Sequence, residues 1–153
     1  MDFFEQNKEA LAAFSRFSKA LGERADYVQG GGGNTSVKLD QRLMAVKASG
    51  YLLRDISPQT AYAVLDYPAL RAFYGRHQPE ELPDVEAAGS AAARDAVVPV
   101  EGLKALRPSV EAGFHALLDR FVAHTHSVYA NLAACCQETG EILDAALGGA
   151  DYG

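Results

Sequence analysis

The chain has 153 residues, a formal net charge of −6, 48% hydrophobic residues and 22% charged ones. This length suits one core, so residues 1–153 are read as a single domain, and the ordinary globular usage argues against disorder or a fibrous repeat. With no dense Lys/Arg stripe, no run near the roughly 20 apolar residues of a bilayer span and no signal-peptide character in Met1 to Glu5, neither nucleic acid nor membrane is an expected partner, and a cytoplasmic location is expected.

Phe3, Phe4, Leu11, Phe14, Phe17 and Leu21 recur at helical spacing, which predicts one amphipathic helix over 2–21, with Asp2 as its cap and Gly22 as its stop. The run Gly30 to Gly33 follows, then two strands, 34–39 and 43–48, joined by a turn at Asp40-Gln41. A third strand over 61–65 leads into a helix over 68–74. The acidic, proline-containing stretch 77–83 reads as a loop, and 85–94 as an alanine-rich helix. Pro108 sits where a further helix begins, and Val110, Phe114, Leu117 and Leu118 are expected to form its buried face. A strand over 120–125 precedes two helices, 128–136 capped by Ser127 and 140–147. Because the first two strands form a hairpin, the sheet is expected to be mixed or antiparallel with helices packed on it. The adjacent Cys135 and Cys136 read as buried, reduced packing thiols.

Two constellations carry chemistry. In His124-Thr125-His126, residues two apart on a strand share a face, so both imidazoles can reach one ion beyond the strand end. Glu111, near the start of the preceding helix, is the expected third ligand or a proton carrier beside the metal. His115, one turn further on, can ligate or buttress, and packing is its expected role. The second constellation is an anion site. Gly30 to Gly33 followed by Asn34-Thr35-Ser36 can direct successive backbone N–H groups at one point, while Ser49-Gly50 and Pro108-Ser109 each offer a hydroxyl and a free N–H.

Gly33-Asn34-Thr35-Ser36, Ala48-Ser49-Gly50, Pro108-Ser109-Val110-Glu111 and His124-Thr125-His126, in that order, resemble the class II aldolase/adducin family. The stretch from Gln29 to Gly50 is especially similar to the aldolase half of bifunctional rhamnulose-1-phosphate aldolase/alcohol dehydrogenases. The resemblance implies a three-layer α/β/α domain with a mixed, largely antiparallel sheet, a zinc ion and a lyase of carbohydrate metabolism. The implied reaction is retro-aldol cleavage of a ketose 1-phosphate to dihydroxyacetone phosphate and an aldehyde, in a homo-oligomer, commonly a tetramer. It assigns His124, His126 and Glu111 to zinc, Glu111 also to acid/base work, and Gly33, Asn34, Ser49, Gly50 and Ser109 to phosphate.

Two departures qualify this reading. No histidine follows His126 where the family pattern expects a third zinc ligand. A fragment lacking its C-terminal strands is therefore expected, and the exposed sheet edge of such a fragment invites self-association. Val110 stands where many phosphate-specific members carry serine, which leaves a carboxylate or an unphosphorylated sugar open. The rival function is a non-catalytic, adducin-like interaction domain or a metal-free pseudo-enzyme.

Overall fold

In the computed structural model, which describes residues 2–149, the sheet is seeded by the hairpin of β1 (Asn34–Lys38) and β2 (Leu43–Lys47). Asp40 Oδ1 accepts from the Arg42 and Leu43 N–H groups at 2.7 and 2.6 Å, an Asx-type turn that sets Ser36 opposite Val46. β3 (Tyr62–Asp66) pairs with β2, and β4 (Phe121–His124) pairs with the other side of β1. The order is β3-β2-β1-β4, and every pairing is antiparallel, so the described strands make an antiparallel rather than a mixed sheet.

Helices lie on both faces. The N-terminal segment is two helices instead of the single one predicted: α1 (Phe3–Gln6) breaks at Asn7, whose side-chain amide donates to the Phe3 carbonyl, and α2 (Lys8–Gly22) follows. Asp2 makes no side-chain cap. Leu11 and Phe14 of α2 pack with Val37, Ala45, Tyr62 and Val64, the inward side chains of one sheet face. On the opposite face Met44, Val46, Ala63 and Leu65 meet α3 (Tyr67–Arg76), α4 (Val85–Asp95) and α5 (Ala112–Leu117) through Leu70, Ala93, Ala112 and Ala116. The result is the α/β/α layering expected. Asp66 and Asp84 cap α3 and α4 by accepting from the Ala69 and Ala87 N–H groups.

α5 presents the other side from the one its apolar residues suggested. Val110, Phe114, Leu117 and Leu118 are exposed, and the buried side is Ala112, Gly113, His115 and Ala116. The tight approach of α3, which brings the Tyr74 ring against Gly113, admits only small residues there. α6 (Val128–Cys135), capped by Ser127, and α7 (Thr139–Leu147) pack on each other and bury no residue fully. Cys135 is accordingly exposed and Cys136 half-buried, both as free thiols and neither as the buried packing group expected. Among the described residues no helix is long and apolar enough to cross a membrane.

Lys38 is buried at the far end of β1, where its ammonium donates to the carbonyls of His115 at 3.0 Å, Asp119 at 2.7 Å and Leu118. It thereby closes the C-terminus of α5, where the helix leaves its carbonyls unpaired. Lys38→Met should lower unfolding free energy by about 1–3 kcal/mol, because the carbonyls lose their donor while the stem's volume is kept. Urea denaturation measures this as a lower midpoint with an unchanged slope.

Candidate metal centre and substrate site

The ladder between β1 and β4 places Asn34 opposite His124, so both side chains leave the sheet at one end and on the α5 face. β4 stops at His124. His126 reaches the same place from the following loop, tied down by its own N–H to the Tyr27 carbonyl at 2.8 Å, and the two rings lie 5.0 Å apart between centroids. Glu111 does not sit within α5 as expected. It is the residue just before the helix, with its carbonyl accepting from Phe114 and its carboxylate free to turn toward β4.

One ligand atom from each of Glu111, His124 and His126 lies within 4.8 Å of the other two. His124 Nδ1 is 3.1 Å from Glu111 Oε1, close enough for an ion pair. That nitrogen is also buried without an aligned hydrogen bond, so the pair is near but poorly directed. A buried ring nitrogen and a carboxylate oxygen that face each other without bonding are the arrangement a shared cation satisfies. Two imidazoles and a carboxylate suit zinc.

His115 is fully buried on α5, with Nδ1 2.8 Å from Ser36 Oγ. Burial pushes its pKa down to about 4, with His124 and Lys38 acting in the same direction and Glu111 opposing them. The ring lies outside the three-residue cluster, and its Nε2 is buried without a partner.

Of the residues expected to hold an anion, Ser49-Gly50 and Ser109 are brought together by backbone pairing. An Ala48–Pro108 bridge joins the end of β2 to the segment before α5. Ser109 Oγ lies 3.4 Å from both the Glu111 N–H and Glu111 Oε2. Gly33 and Gly50 both have positive φ, and at Gly33 a Cβ would come within 3.0 Å of the His124 carbonyl. Two backbone donors counted as free are engaged: Ser49 N–H donates to the Arg107 carbonyl at 2.9 Å, and Gly32 N–H to the Gln29 carbonyl at 2.9 Å. The glycine run is therefore a turn packed on the metal strand and only in part a nest. Asn34 is fully buried, and neither its amide nitrogen nor its amide oxygen has a partner. Such a group on the site face is an unmet demand for a ligand.

Two residues here were missed by the sequence reading. Arg107 Nη2 donates to Ser49 Oγ at 2.9 Å, and among the described residues its guanidinium faces no carboxylate within ion-pair distance. Lys47 is buried at the end of β2, donating to the Tyr51 carbonyl at 2.8 Å and weakly to that of Gly31 at 3.4 Å. Burial holds its ammonium below the usual lysine range, with Glu111 and Asp55 pulling the other way. Neither stands in a charge run that would have singled it out.

An antiparallel sheet between helix layers, with two imidazoles and a carboxylate at one sheet end, defines an α/β domain with a candidate divalent-metal centre. Residues 12–151 match the sequence profile described as "Class II Aldolase and Adducin N-terminal domain", and the chain belongs to that family. Its fold is similar to that of a solved N-terminal class II aldolase domain of a conserved protein from Thermoplasma acidophilum. The TM-score is 0.70 at 24% identity, over 88% of this chain and 63% of that one, so this chain spans less than two thirds of that structure's length. No curated protein sequence matches the chain significantly.

The buried His115 predicts a pH dependence. Its folded-state pKa lies below that of an unfolded histidine, so the unfolded chain binds the extra proton first, and stability present above about pH 6.5 is lost as pH falls toward 4. The loss should approach about 3 kcal/mol across that window, measured by urea denaturation at successive pH values, and His115→Gln should remove this component of the slope.

Proposed function

We propose that this domain holds a divalent metal, zinc by its donor set, on Glu111, His124 and His126, and supports retro-aldol cleavage of a ketose 1-phosphate. A rhamnulose-1-phosphate-like sugar would give dihydroxyacetone phosphate and an aldehyde. The observation that carries this reading is the convergence of the three ligand atoms within 4.8 Å. Family membership supports a lyase of this type. When bound, the ion supplies the Lewis acidity that polarises a ketose carbonyl and stabilises the negative charge left as the carbon–carbon bond breaks.

The chain's own residues supply the rest. Asn34 offers an amide donor and acceptor to substrate oxygens beside His124. Ser49, Gly50, Ser109 and, by its positive φ, Gly33 frame the place for the anionic end, where Arg107 brings a full positive charge. Glu111 is within reach of both the metal position and Ser109, and moves the proton at the carbon α to the carbonyl. The outward apolar residues of α6 and α7, Tyr129, Leu132, Ile142 and Leu143, fit the homo-oligomer, a tetramer, that the resemblance implied. The same exposed residues, together with only three clustered ligands among those described, favour the second reading, a non-catalytic interaction domain.

Metal analysis after dialysis without chelator should find roughly one zinc per chain, lost in His124→Ala. Absence of metal from the native chain would leave the interaction-domain reading standing. With ketose 1-phosphates as substrates, Arg107→Ala should raise KM by about 10-fold or more with little change in kcat. An equal effect on unphosphorylated ketoses would show that Arg107 does not read the anion.

A further inference from the structure

The four consecutive glycines are not equivalent. At Gly30 and Gly31 an added Cβ would meet nothing within 4 Å. At Gly32 it would stand 2.9 Å from His126 Nδ1, 3.4 Å from His126 Cε1 and 3.0 Å from the Gln29 carbonyl. The turn at Gly32 is pinned by its N–H on Gln29. The segment carrying His126 is pinned against the same stretch by two bonds, from the His126 N–H to the Tyr27 carbonyl at 2.8 Å and from the Val128 N–H to the Asp26 carbonyl at 2.9 Å. With both backbones fixed, the imidazole lies on the bare Cα of Gly32.

We infer that Gly32 is a positioning residue for His126: its missing side chain is the seat that holds the imidazole turned toward Glu111 and His124. The inference rests on the metal-binding reading above. His126 extends beyond the end of β4, so no strand ladder orients it, and contact with the glycine turn takes that part. A methyl group at Gly32 displaces the ring by side-chain rotation, and it also crowds the Gln29 carbonyl, so the turn gives by a few tenths of an ångström while the ligand set loses its orientation. Orienting neighbours of a metal ligand typically contribute about 10- to 100-fold in affinity.

The test compares zinc affinity, by competition with a chromophoric chelator, for the native chain, Gly32→Ala and Gly31→Ala. Imidazole resonances of the metal-free proteins provide a second readout, and urea denaturation confirms that each variant is folded. Gly32→Ala should bind zinc about 10- to 100-fold more weakly and shift the His126 ring resonances, while Gly31→Ala matches the native chain in both. Native-like affinity and native His126 resonances in a folded Gly32→Ala would overturn the inference and leave the metal site intact. Equal weakening in both variants would also overturn it, because a loop-wide effect needs no contact with the ring. A native chain that binds no zinc would remove the metal-binding reading itself and this inference with it. Should Gly32→Ala fail to fold in buffer, its zinc affinity and His126 ring resonances, read against those of the native chain and Gly31→Ala in the same stabilising osmolyte, decide between the same outcomes.

Discussion

The pairing of β1 with β4 is the constraint on which the site depends. It sets Asn34 opposite His124 and, two residues along, Ser36 opposite Val122, which fixes both the face and the end of the sheet at which chemistry can occur. A one-residue slip would turn His124 to the α2 face, away from Glu111 and α5. The register is held from outside the ladder too. Ser36 bonds the buried His115 of α5, and Lys38 closes the same helix from the opposite end of the strand. One short helix is thus fastened twice to β1, and Glu111, at its entrance, is delivered to β4 by that fastening.

The two ends of β1 divide the work. At the Lys38 end an ammonium meets three carbonyls, those of His115, Leu118 and Asp119. At the Asn34 end the demands are unmet, with an orphaned amide and a histidine nitrogen facing a carboxylate it does not bond. A buried amide left unpaired costs on the order of 1–3 kcal/mol, so the scaffold carries a local penalty that a ligand or ion relieves. Apolar clusters pack on both sides of the sheet, and each borders that site, through Ala112 beside Glu111 and Val28 beside Gly33.

What was legible in the sequence was what local chemistry decides. The Asp40 turn, the cap at Ser127, the four strands, and the His124, His126 and Glu111 set all rest on short-range rules of spacing and capping. The face of α5 was not legible. Its apolar residues point outward because the inward side is squeezed by α3, and periodicity locates a stripe without saying which side is squeezed. The roles of Lys47 and Arg107 were hidden for a related reason: each acts through contacts with backbone or a hydroxyl remote in sequence, such as the pairing of Arg107 with Ser49. The kink at Asn7 and the exposure of Cys135 likewise follow from how elements meet.

The order β3-β2-β1-β4 has a temporal side. The hairpin closes across a handful of residues and can form as soon as Asp40 and its neighbours are made, whereas the bond between Ser36 and His115 joins residues 79 apart in sequence. Long-range pairing is slow because the entropy of loop closure must be overcome before contacts reward it. Between the two pairings of the central strand β1, with β2 and with β4, the chain passes through α3, α4 and α5. His124 and His126 come with β4, the outer strand on that side of the described sheet. The pairing that sets β4 beside β1 is thus also the one that brings the candidate metal ligands of the loop and strand together, a long-range step in the chain's folding.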